Sequence, residues 1–207
     1  MMLFLQRPTE TQIHALLAER GSMPFSYSDV GATRATPPRG YKINHMRTLL
    51  GRGPEVHTRA VNALMSWKLL TVAGLKLFPA HPAMQPQTTV AMLSPHFGLW
   101  SLDFCRVIYV LNAESELNAE SENGGAIQRT GFAYGTLPGH AVYGEEIFSI
   151  QWHRTTDEVW YDIFSFSVPA NLLILLAGPV ARSAQRRFAA ASINEAVRQA
   201  SKDTPAI

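Results

Sequence analysis

Cysteine is almost absent from this chain, because Cys105 is the only one among its 207 residues. A single thiol excludes an internal disulfide framework and is typical of proteins in a reducing compartment. Neither positive nor negative charge dominates the chain, which has 18 Lys and Arg residues and 16 Asp and Glu residues. The formal net charge of +2 is too small to favour a nucleic-acid partner. We therefore expect a cytoplasmic protein that does not bind nucleic acid.

Long hydrophobic runs are also missing. The longest continuous apolar run spans residues 172–177, far short of the roughly 20 residues that a transmembrane helix needs. The N-terminal residues 1–5 lack a basic region before them and meet Arg7-Pro8 too early for a signal peptide. We expect neither a membrane span nor a secretion signal.

Recognised catalytic motifs are the third absence. The sequence contains no glycine-rich phosphate loop, no G-x-S-x-G turn and no H-E-x-x-H helix. Its seven histidines lack the spacing of metal ligands, and Cys105 does not join them. Since Cys105 lies in an apolar stretch, we expect a core thiol rather than a nucleophile. The sequence predicts no metal and no cofactor.

The residues that are present predict one α+β domain with a short N-terminal extension. Apolar residues make up 46% of the chain and charged residues 16%, enough for a sizeable core. Thr9 and Gln12 form a capping box for a helix over 9–20, which Gly21 ends. A connector rich in Ser, Gly, Thr and Pro follows. We expect an N-terminal helix and connector over 1–40, and an α+β domain over 41–207.

Periodicity places the elements of the larger part. A helix over 54–70 begins at Pro54, and a second, long helix runs from Pro169 to about Gln199, divided at Gly178-Pro179. Between the two helices the chain alternates as antiparallel strands do. The predicted strands cover 41–50, 88–93, 97–102, 103–111, 127–136, 144–153 and 158–167, with a break at Ser94-Pro95-His96 between the second and third. The fold class is thus an antiparallel sheet, expected to be curved, packed on a long C-terminal helix.

Residues 111–116 and 117–122 are identical copies of Leu-Asn-Ala-Glu-Ser-Glu, followed by Asn123-Gly124-Gly125. The repeat is acidic and has no aromatic residue, so it predicts an exposed, duplicated loop insertion. A calcium loop is the minor alternative, because the repeat lacks the alternating ligands and glycine of such loops.

Several separated motifs resemble those of uncharacterised protein family 0548, a family without an established activity, over nearly the whole chain. The residues that carry the resemblance are Gly31–Arg34, Pro38–Tyr41, Gly51–Gly53, Trp67, Cys105–Tyr109, Gly131–His140, Gly144–Glu146, Ser165–Pro169 and Ala177–Pro179. The repeat at 111–125 lengthens a connection that is short in the family pattern. The order of elements also resembles the helix-grip fold of the START and Bet v 1-like superfamily. That resemblance implies an apolar cavity between sheet and helix.

Strand alternation suggests a site in this cavity. Glu146 shares a strand face with Phe148, and Asp162 shares one with Phe164, so both faces are apolar except for one carboxylate. If both faces point at the C-terminal helix, the two carboxylates lie in the cavity, where Arg106 could pair with either. The candidate ligand-binding residues are Arg106, Tyr134, His140, Glu146, Asp162, Trp67 and Trp100.

These residues fit more than one role. Glu146 and Arg106 could form an internal ion pair that fixes strand register, could anchor a ligand, or could act in acid–base chemistry. His140 follows a Pro-Gly turn and either caps the backbone or exchanges protons near neutral pH. We expect a binding protein for a small apolar or amphipathic molecule. The alternatives are an enzyme for hydrolysis or isomerisation in the same cavity, and a structural or partner-binding module with a filled core.

The repeat supports a first prediction. Deleting residues 111–116 or 117–122 gives the same shortened chain, because the copies are identical. Halving a flexible loop changes its closure free energy by only about 0.6 kcal/mol, so we expect a melting temperature close to that of the parent protein. Differential scanning calorimetry measures this directly. Loss of the cooperative transition would show that the repeat is structural.

Overall fold

The structure, a computed structural model, describes residues 2–96, 98–116, 126–170 and 178–201. Its centre is an antiparallel sheet of eight strands. The strands are β1 Met2–Phe4, β2 Lys42–Arg52, β3 Lys76–Phe78, β4 Thr89–His96, β5 Leu99–Glu116, β6 Ile127–Thr136, β7 Val142–His153 and β8 Glu158–Pro169. The helices are α1 Glu10–Gly21, α2 Pro54–Met65 and α3 Gly178–Ala200, with a 3₁₀ helix at Ala32–Arg34.

The strands follow the order β2-β8-β7-β6-β5-β4-β3, and β1 pairs with β5. Strands β4 to β8 form a meander in which each strand pairs with the next. Strand β2 reaches the far edge by pairing with β8. The predicted α+β class, with an antiparallel sheet and a C-terminal helix, is confirmed. In the described part of the chain, no helix combines the length and apolarity needed to cross a bilayer.

Two apolar clusters cover opposite sides of the sheet. On one side, which we call the helix face, Phe132, Phe148 and Tyr161 pack in one cluster with Leu64 of α2 and Ala196 of α3. On the other side, the outer face, the cluster is built around α1 and the first strands. Its buried members are Ile13, Phe78, Ala91, Leu93, Leu102, Phe104 and Leu137. The sheet is therefore the middle layer between helices on one face and the N-terminal segment on part of the other.

The helix ends follow local chemistry. Thr9 and Gln12 form the predicted capping box, which opens α1. Helix α2 begins with Pro54 directly after Gly53, as predicted. It ends at Met65 rather than near Leu70, because the backbone of Trp67 takes a left-handed conformation (φ 63°) that no α-helix continues through.

The predicted break at Ser94-Pro95-His96 is wrong, since β4 runs through His96 and β5 begins at Leu99. Pro95 pairs with Trp100 close to the turn that joins β4 and β5. Strand β3 pairs with β4 only as far as Leu93. On that side Pro95 stands at a sheet edge, where proline deprives the sheet of no ladder hydrogen bond.

The first copy of the repeat is a strand rather than the predicted loop. Strand β5 continues to Glu116, and the register pairs Leu111 with Gly131 and Glu116 with Ile127. Leu111 is buried. The long partner strand β6 supplies the backbone hydrogen bonds that an acidic sequence could not predict. The second copy, residues 117–122, lies outside the described residues.

The C-terminal helix begins later than predicted. Pro169 is still in β8, paired with Val142, and α3 starts at Gly178 with Pro179 in its first turn. Gly178-Pro179 lies in the first turn of α3, and the predicted division of the helix at these residues stays a prediction. The expected helical stretch 171–177 lies outside the described residues.

Gly131 marks a close approach of β6 and β7. A Cβ atom added there would overlap the carbonyl oxygen of Phe148 and lie 2.8 Å from the Cα of Ser149. Because these are backbone atoms, a Gly131→Ala variant must shift a strand, and we expect a loss of about 3 kcal/mol in unfolding free energy. Urea denaturation measures the loss. The control is Gly21→Ala, whose new Cβ would come no closer than 3.8 Å to Thr89; equal stability of the two variants would contradict the close approach.

Candidate ligand site on the helix face

Adjacent carboxylates of β7 project to opposite sides of the sheet. The register pairs Glu146 with Tyr134 and Ser165, whereas it pairs Glu145 with Gly135 and Phe166. Directly paired residues of antiparallel strands share a face. Tyr134 belongs to the helix-face cluster, so Glu146 lies on the helix face and Glu145 on the outer face.

Glu146 stands in a transverse row of polar side chains on the helix face. The register places Asn44, Ser165, Glu146 and Tyr134 side by side on β2, β8, β7 and β6. The neighbouring row, one pleat repeat along, is formed by bulky residues: Met46, Ile163, Phe148 and Phe132. In the opposite direction the next row holds Lys42, Ser167 and Gly144. The apolar side chains of this face thus give way to polar ones at the row of Glu146.

The Glu146 carboxylate has a neutral hydrogen-bond partner. The Tyr134 hydroxyl donates to Oε2 of Glu146 over 2.7 Å. Burial of the Glu146 carboxyl raises its pKa to about 7, and the Tyr134 hydrogen bond opposes this shift only in part. Burial likewise raises the pKa of the Tyr134 hydroxyl. Glu146 has no ion-pair partner among the described residues, and with a pKa of about 7 it is partly protonated at neutral pH.

Further groups with exchangeable protons share this cluster. Cys105 is fully buried, and burial raises its thiol pKa, with Glu146 adding to the rise. It is therefore a core thiol, as the sequence predicted. The Tyr161 hydroxyl lies 2.9 Å from Oγ of Ser192 on α3. The arrangement can accept a hydrogen bond at Glu146 and can hold or release its proton near neutral pH.

Asp162 lies on the outer face, not beside Glu146. Its register partners are Arg47 and Ser149, and its carboxylate is 2.9 Å from Nε2 of His45. The expectation that both carboxylates face the C-terminal helix was wrong because the two strands were aligned by pattern alone. In the register, Glu146 pairs with Ser165, so the two share a face. Asp162 lies an odd number of residues from Ser165 on the same strand and therefore points to the opposite face.

The expected pairing of Arg106 with Glu146 is also wrong. Arg106 pairs with Gly135 on the outer face. Its guanidinium donates to the carbonyl oxygens of Gly21 and Met23, each over 2.8 Å, and lies 5.1 Å from the ring centroid of Phe25. Arg106 therefore fixes the chain that leaves α1.

His140 makes local contacts. Its Nδ1 lies 3.0 Å from the carbonyl oxygen of Val142 and 3.1 Å from the backbone nitrogen of the same residue, so the tautomer decides whether Nδ1 donates or accepts. Burial lowers the pKa of the imidazole, although Asp103 opposes the shift. The described contacts of His140 match a turn residue that caps the backbone, the simpler of the two readings of the sequence.

The two tryptophans of the predicted site are separated by the sheet. Trp67 is buried on the helix face, where its ring lies 4.7 Å from that of Phe132 and its Nε1 donates to the carbonyl oxygen of Pro82 over 3.1 Å. Trp100 packs with the outer-face cluster. Of the seven predicted residues, the structure brings Tyr134 and Glu146 into direct contact and places Trp67 in their cluster. Their role in binding stays a prediction.

Sequence reasoning missed Glu145, a buried carboxylate with several hydrogen-bond donors. It is 2% exposed and accepts hydrogen bonds from the Tyr27 hydroxyl (2.8 Å), the Gly31 N–H (2.6 Å) and the Thr33 N–H (3.0 Å), together with the Thr33 hydroxyl. These donors come from the connector, which Glu145 holds to the outer face. A signal existed, because strand alternation must send one of two adjacent carboxylates to each face.

No group of three or more His, Cys, Asp or Glu side chains within the described ranges could hold a metal ion. The prediction that the protein has no metal and no cofactor is not tested by this finding and stays a prediction.

The two carboxylates should respond differently to neutralisation. In Glu145→Gln an amide N–H₂ replaces one acceptor oxygen against several donors, and we expect a loss of about 3 kcal/mol in unfolding free energy. The matched control is Glu146→Gln, in which no cation loses a partner. Because folding raises the pKa of Glu146 from 4.5 to about 7, the folded wild type loses stability as pH rises through this window. The Glu146→Gln variant should lack that contribution, at most about 3 kcal/mol.

Urea denaturation of both variants between pH 4.5 and 8 measures these effects. Equal losses at pH 7 for the two variants would contradict the assignment of the carboxylates to different environments.

Comparison with known proteins finds relatives over most of the chain. A UPF0548 protein of Dictyostelium discoideum is 30% identical over 210 residues, covering 94% of both chains. A UPF0548 protein of Deinococcus radiodurans is 30% identical over 199 residues, covering 91% of this chain and 93% of its own. One of Arabidopsis thaliana is 35% identical over 150 residues, covering 72% and 69%.

Two solved structures show a more distant similarity. The hypothetical protein jhp0584 of Helicobacter pylori is 12% identical with a TM-score of 0.48, covering 86% of this chain and 99% of its own. The protein Ara h 8.0201 is 10% identical with a TM-score of 0.40, covering 75% and 98%.

Residues 26–195 match a domain of unknown function, DUF1990. This match extends from the connector that Glu145 holds to the last turns of α3, and it includes the polar row around Glu146. Together with the three relatives, it shows that the chain belongs to the UPF0548 protein family.

Proposed function

We propose that the protein binds a small apolar or amphipathic molecule against the helix face of the sheet, with Glu146 as its polar anchor. The observation that carries this proposal is the Glu146 carboxyl. Its pKa is raised to about 7, so protonated and charged forms coexist at neutral pH, and its partner among the described residues is a single neutral hydroxyl, that of Tyr134.

The chemistry of Glu146 defines what it would accept. A carboxyl group has two oxygens and about four lone-pair sites, and Tyr134 uses one of them. A hydroxyl, amine or amide on a ligand could donate to the others. A buried polar group with unused hydrogen-bonding capacity is costly for a purely structural core, and binding of a ligand would offset that cost.

The surroundings favour a ligand that is mostly apolar. Beyond Glu146 the helix face continues into the aromatic cluster of Phe132, Phe148 and Trp67. These rings fill the centre of the helix face and leave no space for a ligand there. The ligand would therefore lie toward the end of the face that carries Ser165 and Gly144, two small residues, with Lys42 at the edge of the next row. A polar group on Glu146 and an apolar body on the ring edges is the typical arrangement of a small-molecule site.

Acid–base catalysis is the second candidate. A carboxyl with a pKa of about 7 can both give and take a proton at neutral pH. The Tyr134 hydroxyl on Oε2 fixes the orientation of the group. The acid–base residue of such an enzyme would be Glu146 rather than His140, whose Nδ1 is engaged with the backbone.

Native mass spectrometry of the gently purified protein tests binding. We expect a non-covalent adduct on the wild type that organic solvent releases, at occupancy clearly reduced in Glu146→Gln. The matched control is Glu10→Gln, which alters an exposed carboxylate in the first turn of α1 and should keep full occupancy. A wild type without adduct, or an adduct equally abundant on all three proteins, would contradict Glu146 as the anchor.

A further inference from the structure

Strand β2 stands at one edge of the sheet. Within the described ranges it pairs with one strand only, β8, over ten register pairs from Lys42 to Arg52. An edge strand of eleven residues offers a row of backbone N–H and C=O groups to another strand. Such an edge is either protected by charge and irregularity or used for association.

The outer face of β2 carries exposed apolar side chains at both ends and polar ones between them. Ile43 is 51% exposed and Leu49 is 43% exposed, although both are large hydrophobic residues. His45 and Arg47 lie between them, on the same face and also exposed. The pattern along this face is thus apolar, histidine, arginine, apolar.

This pattern complements itself when read in the opposite direction. If a second copy of β2 pairs antiparallel to the first with Met46 on the two-fold axis, Ile43 of each copy faces Leu49 of the other. His45 then faces Arg47. Both already have partners in their own chain, Asp162 for His45 and His153 for Arg47, so the apolar pairs carry the complementarity.

Only this register is complementary. Moving the axis to His45 sets Ile43 against Arg47, and moving it to Arg47 sets Leu49 against His45. Each alternative buries an apolar side chain against a polar or charged one, whereas apolar cross-strand pairs stabilise a sheet. Because of the two-fold symmetry, each favourable pair occurs twice in the interface, as in other isologous interfaces.

We propose that two copies of the chain associate through β2, antiparallel and centred on Met46, so that their sheets join into one. The interface lies at the sheet edge and does not involve Glu146. Dimerisation and ligand binding on the helix face are therefore tested independently of each other.

The experiment exchanges charge across the proposed pair. Sedimentation equilibrium should show a wild-type dimer, and the variants I43K and L49E should each raise the dissociation constant at least about tenfold, because each sets two charges against apolar partners. An equimolar mixture of I43K and L49E should associate again. In that mixed dimer one pair joins opposite charges and the other pair is the native Ile43–Leu49 contact.

A matched control and a folding check complete the design. L5K alters a side chain that is 84% exposed and outside the edge strand, and it should dimerise like the wild type. Cooperative melting of every variant confirms folding. A monomeric wild type, a dimer that neither I43K nor L49E weakens, or folded variants that fail to associate when mixed would each overturn the proposal.

Discussion

The alternation of side chains along β7 is the constraint on which both sides of this protein depend. Successive residues of a strand point to opposite faces, so the dipeptide Glu145-Glu146 places one carboxylate in each of two environments. Glu145 holds the N-terminal connector on the outer face. Glu146 occupies the helix face beside Tyr134. A one-residue slip of this strand would exchange the two groups and abolish both arrangements.

The two carboxylates meet the cost of burial by different means. Glu145 collects hydrogen bonds from a side-chain hydroxyl of Tyr27 and from backbone N–H groups of Gly31 and Thr33, so its charge is dispersed over several donors. Glu146 has one such donor and a pKa of about 7. The hydrogen bonds of Glu145 hold two chain segments together. Glu146 keeps acceptor sites without a partner among the described residues, as expected of a group that binds a ligand.

Much of the fold could be predicted from the sequence, because its signals are local. The capping box at Thr9, the Gly53-Pro54 helix start and the alternation of 127–136 depend on near neighbours, and the structure contains all three. The site was harder to predict, since alternation says which residues of one strand share a face but not which faces of two strands coincide. That relation depends on register.

Register explains the particular errors. Arg106 and Asp162 were placed with Glu146 although each is on the other face. A bulge between Val107 and Tyr109 further interrupts alternation in β5, and no sequence signal marks it. The first copy of the repeat, residues 111–116, joined the sheet because β6 lies beside it. Pairing with β6 made this segment a strand, although its acidic composition favours a loop.

Glu146 is a carboxyl on the helix face whose pKa is raised to about 7. Carbon-13 NMR titration of the glutamate side-chain carboxyls, assigned with the Glu146→Gln variant, tests it most directly. The resonance missing from the variant should titrate in the wild type with a midpoint at about 7. A midpoint near 4.5, the ordinary value for this side chain, would mean that the carboxylate is solvated and would contradict its role as a buried polar anchor.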